Sequence, residues 1–145
     1  MKVVIQRVNE ASVEVDSKIV GTINKGLVVL VGFTEGDNLD TLKWMVNKIV
    51  NLRIFDDDEG VMNLSVKEIK GDILSVSQFT LYGDTTKGNR PSYIKALGPD
   101  EASKLYREFN KLLKEENINV EEGIFQADME VNLSNDGPVT IIIEK

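Results

Sequence analysis

GLVVLVGFTEGDNLDTLKWMVNKIVNL, residues 26–52, changes its period half-way and so decides the class of fold. Gly26 opens LVVLVGF, a continuous apolar run suited to a strand buried on both faces. Glu35-Gly36-Asp37 ends it. From Asn38 to Leu52 the apolar residues Leu42, Met45, Val46, Ile49 and Leu52 recur at helical spacing, one face of an amphipathic helix that Asp37 or Asp40 is placed to cap. Trp44 stands off that stripe and is expected to pack beside the helix. A two-faced strand feeding a one-faced helix points to helices laid against a sheet.

Working outward, Lys2 to Val8, Ala11 to Val15 and Lys18 to Ile23 read as strands. IFDDDEG is turn-rich. Its Asp56, Asp57, Asp58 and Glu59 lack the alternating ligands and closing Glu of an EF-hand loop, and read as a solvated loop. Asp72 to Leu81 is a strand. Pro99 opens a second helix with Asp100 and Glu101 in its first turn, where the helix dipole favours acids. Ala102, Leu105, Tyr106, Phe109, Leu112 and Leu113 form its buried face, and Lys111 and Lys114 suit its C-terminal end. Two last strands, Asp128 to Leu133 and Val139 to Glu144, flank SNDGP. Asp136-Gly137 between them reads as a hairpin turn, with Pro138 at the start of the returning strand. No repeat, low-complexity segment or linker interrupts the chain. Residues 1–145 are therefore expected to form one α+β domain, a mostly antiparallel, barrel-like sheet with two main helices.

Composition narrows the chemistry. There is no cysteine and no histidine among the 145 residues. Thiolate catalysis, disulfides, the Ser-His-Asp triad and most zinc chemistry are thereby excluded. No cofactor and no metal are expected. A net charge of −7 argues against a protein that coats nucleic acid, but leaves room for contact with one RNA end. No apolar run approaches the roughly 18 residues of a membrane span. MKVVIQRVNEASVEV turns polar too soon for a signal peptide, so a cytoplasmic location is expected.

Three stretches could carry a reaction. In ILSVSQFTLYG, Leu74 and Val76 share one face, yet Phe79 and Leu81 fall on the face of Ser75 and Ser77. Either a bulge twists the strand, or polar side chains line a pocket at its end. YGDTTKGNRPSY follows as a loop whose Lys87 and Arg90 sit beside hydroxyls, a pattern suited to phosphate or ribose. The third is Gly137-Pro138, where an X-Pro bond adopts cis at modest cost.

Together SQFTL (Ser77–Leu81), KGNRPSY (Lys87–Tyr93) and GPVT (Gly137–Thr140) resemble, in order and spacing, the motifs of the D-aminoacyl-tRNA deacylase family. The resemblance runs from MKVVIQRV to NDGPVTI; Tyr93 stands where many members carry phenylalanine. It implies a homodimer whose Gly-Pro bond is cis and reaches into the neighbouring active site. Gly137 and Pro138 would there screen chirality, holding the α-amino group of a D-aminoacyl ester and excluding an L side chain. Arg7, matching the family's QRV, would lock that motif. Ser77, Gln78, Phe79 and Thr80 would line the pocket for the 3′-terminal adenosine and its ester, with backbone N–H groups near Phe79 and Thr80 facing the oxyanion. Lys87, Arg90 and Lys95 would meet phosphates. The implied reaction is hydrolysis of D-aminoacyl-tRNA, with glycyl-tRNA as a second substrate because glycine has no chirality. The alternatives are an editing site for L-aminoacyl-tRNA and a non-catalytic module binding tRNA 3′ ends.

Without histidine, a Thr80 nucleophile has no evident base. An aminoacyl ester is already activated, so a water oriented by the ribose 2′-OH is the preferred attacking group.

Overall fold

The computed structural model describes residues 1–145. Strand β1 (Lys2–Val15) pairs antiparallel with β2 (Lys18–Ile23) through its second half and with β3 (Gly26–Gly32) through its first. Helix α1 (Leu39–Val50) follows, then a small hairpin of β4 (Phe55–Asp56) and β5 (Met62–Leu64), and β6 (Asp72–Ser77). Helix α2 (Pro99–Glu115), β7 (Val120–Glu122) and the long β8 (Glu130–Glu144) complete the chain. The main sheet runs β2-β1-β3-β6-β7, with β8 on β1. It curls until β2 lies beside β6 and β7, a nearly closed barrel.

Two expectations are corrected. The sheet is mixed, because β3–β6 and β6–β7 are parallel. Each of these pairs is joined through a helix, α1 or α2, and a helical crossover is the connection that parallel neighbours require. The Asp136-Gly137 hairpin does not exist. Leu133 and Ile141 both pair antiparallel with β1, so the chain never reverses and the two last strands are one. Between the pairs Gln6–Thr140 and Val8–Asn135, β1 advances two residues while β8 advances five. The surplus bulges outward.

The expectation for β3 holds. Leu27, Val29 and Val31 face one core with α1 and α2, while Val28 faces a second inside the curled sheet with Val8, Val13, Leu74 and Val76. From α1 come Leu42, Met45, Val46 and Ile49, and from α2 Ala102, Tyr106, Phe109 and Leu113. Asn38, rather than either predicted aspartate, caps α1, its Oδ1 accepting from Asp40 N and Thr41 N. Asp37 is occupied elsewhere, on the Met1 ammonium at 2.6 Å. Trp44 belongs to α1 and, rather than packing beside it, stays exposed under the Lys48 and Lys145 ammonium groups. In the acidic loop, Asp57 accepts from the Glu59 and Val61 amides and from Asn63, holding a turn.

Candidate active site

The break in the Asp72–Leu81 pattern has a local cause that differs from a bulge. The strand stops at Ser77, and Phe79–Tyr82 wind into one 3-10 turn. Gln78 N donates to Val31 O at 2.7 Å, stitching that turn to the end of β3. A Cβ on Gly32 would lie 2.9 Å from Gln78 O, so this close approach depends on glycine. Phe79 is left exposed, and Leu81 does not continue the alternation.

Above the ends of β3 and β6 lies a cavity of about 640 Å³. Ser77, Gln78 and Phe79 form one wall, Leu97 to Pro99 and Ala102 at the start of α2 a second, and Phe125 to Met129 a third. Leu97 N donates to Phe33 O at 2.9 Å and Thr34 Oγ1 to Lys95 O at 2.6 Å, which ties the second wall to the end of β3. The lining is mostly apolar with a few polar groups, the usual make-up of a small-molecule site. The amides of Phe79 and Thr80, the first two of the 3-10 turn, have no acceptor within that turn. Such N–H groups at the start of a turn can receive a developing negative charge. Thr80 itself lies off the cavity lining, exposed, its hydroxyl accepting from the Gln78 side-chain amide.

The KGNRPSY loop meets this wall through a ring pair. Tyr93 stands edge-on to Phe79 at 5.1 Å, and both line the cavity. Asp84 and Ser92 exchange backbone bonds of 2.8 and 2.9 Å, pinching the loop at its base. The Thr86 hydroxyl and amide, with Lys95, hold the Asp84 carboxyl down at about 2, so this anchor stays ionised at every ordinary pH. Lys87 and Arg90 project from the exposed loop with no carboxylate partner, whereas Lys95 is paired with Asp84.

A second constellation sits on the β8 bulge. The Gly137–Pro138 peptide is cis, Gly137 has φ +114°, and both residues are exposed. Arg7, only 5% exposed, reaches the bulge from β1. Its Nη1 donates to Ile54 O at 2.6 Å and lies 3.4 Å from Asp56; its Nε lies 2.9 Å from Asp136 Oδ2, an ion pair set off the N–H axis. Asn135 Nδ2 bridges Arg7 O and Val139 O across the bulge, replacing ladder bonds that the surplus residues remove.

A profile of the D-Tyr-tRNA(Tyr) deacylase family matches residues 4–144. The chain belongs to that family. A D-aminoacyl-tRNA deacylase of Clostridium perfringens (strain SM101 / Type A) is 55% identical over 144 residues, 99% of this chain and 97% of the relative. One from Clostridium botulinum (strain Eklund 17B / Type B) is 54% identical with the same coverage. Among solved structures, the c-Myc DNA Unwinding Element Binding Protein superposes with a TM-score of 0.94 at 40% identity, covering 100% of this chain and 99% of that one. A probable eukaryotic D-amino acid tRNA deacylase superposes at 0.84 with 20% identity, over 98% and 97%, a likeness of fold alone.

In this deacylase-family chain, then, Ser77, Gln78 and Phe79 are gathered at one cavity, with Thr80 beside it. Arg7, Gly137 and Pro138 are gathered on the β8 bulge and line none of that cavity. Sequence reasoning missed the third wall, Phe125 to Met129, because no periodic pattern marks it. It also missed Asn135 and Asp136, which a polar pair beside an X-Pro step could have flagged. No helix is long and apolar enough to cross a membrane.

Proposed function

We propose that this chain hydrolyses the ester of D-aminoacyl-tRNA, releasing the amino acid and free tRNA. The observation that carries this reading, beside family membership, is the conjunction of a largely apolar cavity with the start of the 3-10 turn at Phe79 on its wall, where the first amides have no acceptor within the turn. The 3′-terminal adenosine enters the cavity, and its ester carbonyl faces the amides of Phe79 and Thr80. A water, oriented by the ribose 2′-OH, attacks the carbonyl carbon. The amides stabilise the oxyanion; the bond to O3′ then breaks, and the proton from water passes to O3′. No protein base is required.

Gly137 and Pro138 act from a second copy of the chain. Their exposure supports this, as does the outer edge of β8, which is unpaired and carries the exposed Ile142. In the assembled dimer they hold the α-amino group and leave no room for an L side chain. Glycyl-tRNA, lacking a side chain, is also accepted.

The test is paired deacylation of D-tyrosyl- and L-tyrosyl-tRNA at equal enzyme concentration. Loss of the D-ester with the L-ester spared is expected. Loss of the L-ester would make this an L-editing site; loss of neither, from a folded dimer, would make it a binding module.

Thr80→Ala separates the two chemical routes. Its hydroxyl lies off the cavity, so the variant should retain activity within about tenfold, the scale of one lost hydrogen bond. D-tyrosyl-tRNA ending in 2′-deoxyadenosine should instead be cleaved at least about a hundredfold more slowly, as expected when a proton-transfer partner is removed. A D-tyrosyl ester trapped on Thr80 would overturn the water route.

A further inference from the structure

We propose that Tyr93 and Ile94 form a stacking platform for the base of the nucleotide that precedes the terminal adenosine, a deepening that rests on the reading above. Ile94 is the most exposed large apolar residue of the chain, at 92%. Beside it Tyr93 and its ring partner Phe79 are 39% and 58% exposed. Contiguous exposed apolar surface of this kind marks a binding site. It adjoins the cavity, whose lining includes both rings.

The platform is held in place by its flanks. Ala96 N donates to Tyr93 O at 2.9 Å, so Tyr93 to Ala96 close a turn that presents Ile94 to solvent. Lys95 O accepts from Thr34 Oγ1 and Leu97 N donates to Phe33 O, which fastens this turn to the end of β3. The Tyr93 ring rests on bare backbone: a Cβ on Gly83 would lie 3.1 Å from its Cε1. A surface fixed in this way loses little freedom when a ligand covers it.

Charge and position select the occupant. Lys87 and Arg90 project from the same loop without carboxylate partners, and the loop's own Asp84 is engaged by Thr86 and Lys95. A phosphodiester is attracted there, whereas the α-ammonium of the aminoacyl group is repelled. Asp128, the one carboxylate of the cavity lining, stands on the wall that runs from Phe125 to Met129. Because Tyr93 borders the cavity, the nucleotide next to the terminal adenosine is the one within its reach. That nucleotide is unpaired in a tRNA 3′ end. Unpaired bases are held by stacking on aromatic side chains, with little regard for their identity.

The test compares D-tyrosyl 3′-esters of adenosine 5′-phosphate, of the dinucleotides CpA and ApA, and of an abasic dinucleotide that keeps the phosphodiester but lacks the first base. Wild-type kcat/KM should rise at least about tenfold from adenosine 5′-phosphate to CpA or ApA, the scale of one stacked base, and by no more than about threefold to the abasic ester. In Tyr93→Ala the dinucleotide gain should shrink to within about threefold, and Tyr93→Phe should keep it. Ile94→Ser, at a side chain open to solvent, should cut the gain at least about twofold and leave the adenosine 5′-phosphate ester unaffected. No gain in the wild type, a full gain on the abasic ester, or an undiminished gain in both Tyr93→Ala and Ile94→Ser would overturn the proposal. Where Tyr93→Ala harms every ester alike, Ile94→Ser decides alone. A changed subunit stoichiometry of Ile94→Ser in sedimentation would assign the patch to a second copy of the chain, and overturn it too. If the wild type cleaves no ester, the hydrolase reading falls, and calorimetry with uncharged CpA and adenosine 5′-phosphate still decides the platform. Tighter binding of CpA that the variants lose supports it; equal binding of the two, or none, overturns it.

Discussion

Gly137→Ala is expected to lower kcat/KM for D-tyrosyl-tRNA by about a hundredfold or more while leaving the far-UV circular dichroism unchanged. At φ +114° an L side chain is strained whatever the space around it. Here the space is also missing. A Cβ would lie 2.9 Å from Val139 Cγ2, 3.1 Å from Val139 N and 3.2 Å from Arg7 Nη2. The segment must shift to admit it, and on the role proposed for Gly137 an ångström of misplacement costs about two orders of magnitude. The fold survives because Gly137 is exposed and the β1 ladder continues on either side of the bulge. Full activity in the alanine variant would place the bulge outside the reaction.

Arg7→Ala should combine a loss of stability with a loss of activity. Its guanidinium is buried and ties three separate points, Ile54 O, Asp56 and Asp136. Removing it leaves Ile54 O, on a residue only 5% exposed, without its charged donor. The two carboxylates are 51% and 32% exposed and can rehydrate, so their share is small. A cost of about 3 kcal/mol follows, mostly from the buried hydrogen bond and the vacated volume, which lowers Tm by roughly 10 °C. At a temperature where the variant is still folded, kcat/KM should fall at least about tenfold on the role proposed for Gly137, because Asp136 is no longer held and the bulge that carries Gly137 is released. Arg7→Lys should recover little, since a point charge cannot reproduce a planar group serving three directions. A lowered Tm with undiminished activity would leave Arg7 a purely structural residue.

The contrast between the two motif clusters explains what was legible in the chain. SQFTL and KGNRPSY are adjacent in sequence and meet through Phe79 and Tyr93, so a reading by stretches finds them together. The bulge joins residues 128 positions apart, as in the bond from Asn135 Nδ2 to Arg7 O. Asp-Gly-Pro carries the local marks of a reversal, and only the long-range pairing of both flanks with β1 shows that the chain goes straight on.

By itself the sequence determined the elements whose period is local. The two-faced strand at Gly26–Gly32, the one-faced helix at Leu39–Val50 and the proline-started helix at Pro99–Glu115 stand where burial of their own apolar residues requires. The lack of histidine and cysteine likewise restricted the chemistry before any coordinates. Only the tertiary structure decided that β3, β6 and β7 run parallel, that Asp136 to Pro138 are a bulge held by Arg7, and that Phe125 to Met129 close the cavity. Each of these depends on which distant backbone supplies the hydrogen-bond partner. Side-chain period states that a strand has a buried face, but not which strand lies beside it.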